Sequence, residues 1–186
     1  MVSVLQRSLM RFLLTLLVLA TACDPAPGPE REEVRATIDR TNQLLERWYA
    51  RGQIDSAAMF FATDVWQMPP NAPPIVGLDA YREWWWQAVQ WGLWQFDFSV
   101  QDVIVTDSIA VERGKYTLTF EAGSEAPLAS PDDRGNYVAV WRLEPDGEWR
   151  ILWNARVSES PVGSARSRAS HESGRLDSTR LYPTSG

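Results

Sequence analysis

A chain of 186 residues has room for one ordinary domain with tails, and 45 % hydrophobic content is enough to give that domain a sizeable core. The formal net charge is -6, and the folded part has no Lys/Arg-rich run; this excludes nucleic-acid binding, which needs a clustered basic face. The single histidine, His171, sits in a Ser/Arg-rich tail, so histidine-based zinc sites and Ser-His-Asp machinery are excluded and no cofactor or metal is expected.

Residues 1–22 read as a signal peptide. Arg7 and Arg11 give a basic start, Phe12 to Ala20 is apolar, and Leu19-Ala20-Thr21-Ala22 supplies small residues for cleavage. The apolar run is shorter than the roughly 20 residues of a membrane-spanning helix. Cys23, the only cysteine, follows at once and resembles the lipidated cysteine of a bacterial lipobox. An ordinary secretory signal with a chance cysteine is the other reading. On either reading the chain is exported: a cell-envelope lipoprotein anchored in the membrane at Cys23, or a periplasmic or secreted protein. No second cysteine remains for an intrachain disulfide. Residues 23–32 form a Pro-rich linker, 33–158 the domain, and 159–186 a tail that is disordered by composition.

Within the domain, Val34, Ile38, Leu45 and Tyr49 fall on one helical stripe, with Gly52 placed to end the helix. Ile54 to Phe61 predicts a second, shorter helix, and Asp64 to Met68 a strand. Pro69, Pro70, Pro73 and Pro74 then stiffen a loop that cannot join a ladder. Asp79 is placed to cap a third helix reaching Gln90, with Glu83 near its start. After Gly92 the period becomes two. Trp94, Phe96, Phe98 and Val100 share one parity and Val103 and Val105 the other, which predicts a β-bulge near Gln101-Asp102. A second shift is expected between Ile109/Val111 and Tyr116/Leu118/Phe120, around Gly114. Gly135 to Leu143 is a third strand, and Pro145-Asp146-Gly147 turns into a fourth, Glu148 to Val157. Helices first and long bent antiparallel strands last indicate an α+β fold.

The order Gly52, Phe61-Ala62-Thr63-Asp64-Val65, Met68-Pro69-Pro70, Gly77 and Ala80-Tyr81-Arg82 resembles a SnoaL-like domain of the nuclear transport factor 2-like, ketosteroid isomerase-like superfamily. Glu112 to Leu118, Gly135 to Arg142 and Asp146 to Ile151 continue the likeness, which covers roughly residues 33–158. The resemblance implies a cone: a curved antiparallel sheet wrapped on three N-terminal helices, with a pocket at the wide end and a homodimer formed through the sheet's outer face. It does not settle function, because the superfamily includes isomerases, cyclases, dehydratases and binding proteins. The isomerase base, tyrosine and acid positions fall at Pro69, Leu45 and Ala139, none of which can do that chemistry. Asp64 corresponds to a residue that braces the turn after the second helix.

By the family's alternation Glu112, Gly114, Tyr116, Leu118, Tyr137, Ala139, Trp141, Leu152, Asn154 and Arg156 face the cavity. Tyr49, Trp66, Met68 and Trp85 complete its wall, with Trp84 packed inward, Trp85 at the mouth and Trp86 outside. The candidate ligand-binding set is therefore Tyr49, Trp66, Met68, Trp85, Glu112, Tyr116, Trp141, Asn154 and Arg156. Glu112 is the best candidate for a general base, or else half of a bracing ion pair with Arg156. Trp149, Ile151 and Trp153 are expected on the opposite face as the homodimer surface. Three functions remain open: binding of a small, mostly apolar or aromatic molecule in the cone; a cyclase- or dehydratase-like lyase or isomerase reaction using Glu112; and a structural or dimerisation role in the cell envelope.

Overall fold

The computed structural model describes residues 29–124, 126 and 132–160. The signal peptide, Cys23 and most of the linker, and the tail beyond residue 160 with His171, lie outside them. Helix α1 (Arg31–Ala50) buries the expected stripe of Val34, Ile38, Leu45 and Tyr49, together with Thr41 and Asn42. It ends where Gly52, at φ +64, turns the chain out of the helix and donates its N–H to Tyr49 O at 3.0 Å.

Helix α2 (Ile54–Ala58) stops short of the expected Phe61. The sheet draws the chain away: Ile151 N–H donates to Phe60 O at 2.8 Å, so strand β1 runs Phe61–Met68 and not from Asp64. The proline-bounded loop also contributes a strand of its own, β2 (Ile75–Val76), paired antiparallel with Trp66 and Gln67. The prolines limit its length without barring it. Helix α3 (Leu78–Trp91) opens at Gly77, whose N–H is held by Val65 O at 2.7 Å. Asp79 lies in the first turn and makes no capping bond, which corrects its predicted role.

Four longer strands follow: β3 (Gly92–Val105), β4 (Ile109–Ala122), β5 (Asp133–Leu143) and β6 (Trp149–Ser158). They complete a six-stranded sheet in the order β2-β1-β6-β5-β4-β3. Every neighbouring pair is antiparallel except β1 with β6, which run parallel. The result is the α+β architecture expected, with helices laid on a curved open sheet.

The predicted bulge in β3 is present, as a register shift between Val100 and Asp102. The shift expected in β4 is not there. Its register with β5 is unbroken, and Ala110, Glu112, Gly114, Tyr116, Leu118 and Phe120 are buried in strict alternation. Two other irregularities exist: one between Phe61 and Trp66 of β1, and one in β6, where Val140 pairs with Trp153 but Trp141 pairs with Ile151, leaving Leu152 as the extra residue. Ile151 is therefore buried and Trp149 packs against the core, while Trp153 is exposed; the expected outer trio is reduced to Trp153.

Gly114 is needed for close approach. A Cβ there would stand 2.6 Å from Ser99 O and 2.6 Å from the Tyr137 ring, so only glycine lets that ring cross β4 opposite the bulge. The exposed edge of β3 is occupied by α1. Arg31 Nε donates to Val103 O at 2.8 Å, Arg35 donates to Val100 O at 3.2 Å, and Glu46 accepts from Phe98 N–H at 2.8 Å. Among the described residues no helix is long and apolar enough to cross a membrane.

Candidate functional site

Between α1 and the concave face of the sheet lies a hollow of about 20 Å³. Asn42, Leu45 and Tyr49 from α1, Phe61 and Gln67 from β1, and Trp85 from α3 line one side. Phe96 and Phe98, Glu112, Tyr137 and Ala139, then Ile151, Asn154 and Arg156 line the sheet side. Of these, Phe98, Asn154 and Arg156 are the partly exposed ones, so they form its rim. The hollow holds little more than one water and is much smaller than the open pocket the resemblance implies. The reason is ring packing: Tyr49 lies 4.4 Å from Trp85 and 5.3 Å from Phe96, and Trp85 meets Trp94 edge-on at 5.5 Å.

Glu112 forms the floor and has no solvent exposure. Its Oε1 accepts from Asn42 Nδ2 at 2.7 Å and from the Tyr137 hydroxyl, and its Oε2 accepts from Trp141 Nε1 at 2.8 Å. Three of a carboxylate's roughly four acceptor positions are thus taken by donors from α1 and β5. Burial pushes the carboxyl above its ordinary value near 4.5, against the pull of the Tyr137, Asn42 and Trp141 donors. Burial also raises Tyr137, with the Glu112 charge adding to it. The bracing pair with Arg156 does not form; no ion pair among the described residues includes either group.

Arg156 stands instead among rings, its guanidinium carbon 5.2 Å from the Phe96 centroid and 5.8 Å from that of Tyr116. Tyr116 lies beside the hollow without lining it, and its hydroxyl donates to Asp133 Oδ2 at 2.7 Å. Trp141 is fully buried and reaches the site through Glu112. Tyr49 is buried, its hydroxyl 2.5 Å from that of Tyr81, and desolvation raises both. Trp85 is 1 % exposed, not at the mouth, and its Nε1 donates to Gln67 Oε1 at 3.0 Å. It is thus the inward member of the tryptophan triplet, with Trp84 half-buried and Trp86 exposed.

Two expected wall residues are elsewhere. β1 buries Val65 and Gln67, which puts Trp66, 44 % exposed, and Met68 at the opposite parity, away from the hollow. Starting β1 at Asp64 hid this, since apolar Trp66 and Met68 look like the inward pair. Asp64 itself makes a surface bidentate pair with Arg142, at 2.7 and 3.1 Å, which lowers its carboxyl. Asn42 and Gln67 were missed as lining residues. The signal was a polar residue on the apolar stripe of α1 and another at the buried parity of β1.

A curved sheet with helices across its concave face and a hollow between them is the fold this chain shares with solved nuclear transport factor 2-like proteins. A ketosteroid isomerase-like protein from Erwinia carotovora atroseptica matches at 16% identity and a TM-score of 0.59, over 68% of this chain and 96% of that one. A nuclear transport factor 2-like superfamily protein from Salmonella enterica matches at 12% identity and 0.62, over 74% and 99%. A candidate dehydratase of the same superfamily from Streptomyces avermitilis matches at 16% and 0.58, over 68% and 96%. At these identities the likeness is one of fold. A comparison with curated proteins finds no match. The SnoaL-like domain model matches residues 41–151, more than half of the chain, and the chain belongs to that family.

The Glu112 cluster makes a pH-dependent prediction. A folded carboxyl raised above its unfolded value keeps protons that the unfolded chain has released. Its contribution to stability is then greatest below about pH 4.3 and declines as pH rises through the folded value. Urea titrations between about pH 4 and 7 are expected to show this decline in wild type and not in Glu112→Gln. Glu112→Ala, which strands three donors, is expected to cost about 3 kcal/mol. Unchanged stability in the alanine variant would remove the cluster's structural role.

Proposed function

We propose that this SnoaL-like domain binds a small, mostly apolar ligand at the mouth of the ring-walled hollow and does not use Glu112 for proton transfer. The observation that carries this reading is the state of Glu112. Among the described residues it is the only fully buried acid, and its oxygens already take three donors. A base must offer a lone pair to substrate. The rings around it supply a dispersive surface, and the partly exposed Phe98, Asn154 and Arg156 supply a rim open to an incoming molecule. The isomerase-like and dehydratase-like neighbours share the fold, and their chemistry is not carried over.

Because Trp85 borders the hollow, occupancy is expected to change tryptophan emission. Titration with one- and two-ring molecules, indole and 2-naphthol among them, should give saturable quenching. Ala139→Leu, which adds volume to the lining, should abolish it. The absence of saturation across the panel rejects the reading.

A second reading concerns assembly and rests on the outer face. Val76, Trp66, Trp153, Val140, Val111 and Ile104 are successive register partners, one from each strand, and form an apolar row across the whole sheet. Trp153 is 49 % exposed and Ile104 62 %. We assign this row to a second copy of the chain, since a two-fold dimer meets itself with the same surface. Sedimentation should give a dimer that Trp153→Arg converts to monomer; a monomeric wild type sinks the assignment.

Export and a lipid anchor at Cys23 complete the proposal on the strength of residues 1–23 alone. Cells fed a labelled fatty acid should label the chain, and Cys23→Ser should not be labelled. An unlabelled wild type points to the ordinary secretory signal.

A further inference from the structure

Among the described residues, the guanidinium at the rim has no ion-pair partner. Arg156 projects from β6 beside Tyr137, its register partner on β5. Its Nε is buried and has no hydrogen-bond partner among the described residues. The rings of Phe96 and Tyr116 stabilise the cation but offer its N–H groups no acceptor. The acids that could serve are engaged elsewhere. Glu112 takes Asn42, Tyr137 and Trp141. Asp133 takes the Tyr116 hydroxyl, Ser158 Oγ at 2.6 Å and Arg134 N–H at 2.8 Å. By contrast Arg31, Arg82, Arg142 and Arg150 each face a carboxylate at the protein surface. A buried donor left unpaired is costly, so its persistence at the mouth of a hollow calls for an acceptor brought by something else.

We propose that Arg156 is the anchor for a carboxylate, and that the ligand of this domain is a small aromatic or apolar carboxylic acid. The inference rests on the binding role proposed above and names the chemical class that role would serve. A guanidinium presents a planar fork that matches two carboxylate oxygens, which favours a carboxylate over a neutral polar group. The Gln67 side chain faces the same hollow; because its oxygen accepts from Trp85, its amide nitrogen is left as a donor. Asn154 stands at the rim beside Arg156. The volume fits as well. About 20 Å³ cannot hold a ring, but it accommodates part of a carboxylate head group while the ring of the ligand lies against Phe98. Phe98 already stacks on Phe96 at 5.6 Å, with an interplanar angle of 6°, so the surface for a third ring is flat and ordered.

The test compares benzoate with benzamide, equal in shape and different in charge, by calorimetric titration of the full chain at pH 7. Benzoate is expected to bind at least about tenfold more tightly than benzamide. Arg156→Gln should erase that difference, with Arg156→Lys keeping part of it. Equal affinity of the wild type for the two probes overturns the carboxylate assignment and leaves the binding role standing. Saturable binding of neither probe, nor of indole or 2-naphthol, removes both. Since the wild-type comparison needs no substitution, a poorly folded Arg156→Gln protein does not blunt it.

Discussion

The carboxylate of Glu112 ties the long helix to the middle of the sheet. A charge buried with no cation beside it is tolerated only when hydrogen bonds replace its water, and here they come from three residues on two elements. Asn42 must therefore face inward, which fixes the rotation of α1. Tyr137 and Trp141 must sit four residues apart on the same face of β5, which fixes its register against β4. A slip of one residue would turn Glu112 outward and place Val111 and Arg113 inside. The hydrophobic core resists that slip by loss of area, and the cluster resists it by stranding three donors. The bound carboxylate thus contributes specificity more than net stability, since its own desolvation offsets much of what the bonds return.

The same cluster sets what the hollow can be. With Glu112 held to the floor by its neighbours, the rest of the cavity surface is made of rings, three aliphatic side chains, three side-chain amides and one guanidinium. Polar satisfaction is divided unevenly: Glu112 is satisfied from within the protein, and among the described residues the Arg156 Nε is not. Gly114 makes this possible by letting Tyr137 lie across β4, which brings its hydroxyl to Glu112 and its ring to within 5.5 Å of Phe98. The bulge opposite, between Val100 and Asp102, bends β3 where α1 reaches across with Arg31, Arg35 and Glu46. Curvature and edge protection therefore share one site in the fold.

Much of this arrangement was legible in the sequence where a side chain could lie on one face only. The α1 stripe, the β3 parity reversal and the turn at Pro145-Asp146-Gly147 each have a single reading, and the structure agrees with it. Glu112, Asn154 and Arg156 come together at the hollow because strand alternation reaches them from a well-marked Tyr137. The errors of strand facing occur where both faces of a strand carry apolar residues. Trp66 and Met68 looked inward because Gln67, the buried residue, is polar and finds its partner in Trp85. Ile109 and Val111 suggested a shift because Ala110 and Gly114, the inward residues beside them, are small. Trp149, Ile151 and Trp153 looked like one face because nothing in their spacing betrays the extra residue at Leu152.

Those failures have a common physical cause. Alternation separates inside from outside only when one face of a sheet meets water, and this sheet has an apolar row running across all six strands on its convex face. Trp66, Val111 and Trp153 of that row are the residues that confuse the pattern, and with Val76, Val140 and Ile104 they make the outer face apolar. Two of its tryptophans pair across the β1–β6 junction, and the exposed polar residues beside the row, Arg113 and Lys115 on β4 among them, show that these strands carry charge there as well. The places where the sequence misleads about the pocket are in this way the places where the strands are apolar on both faces.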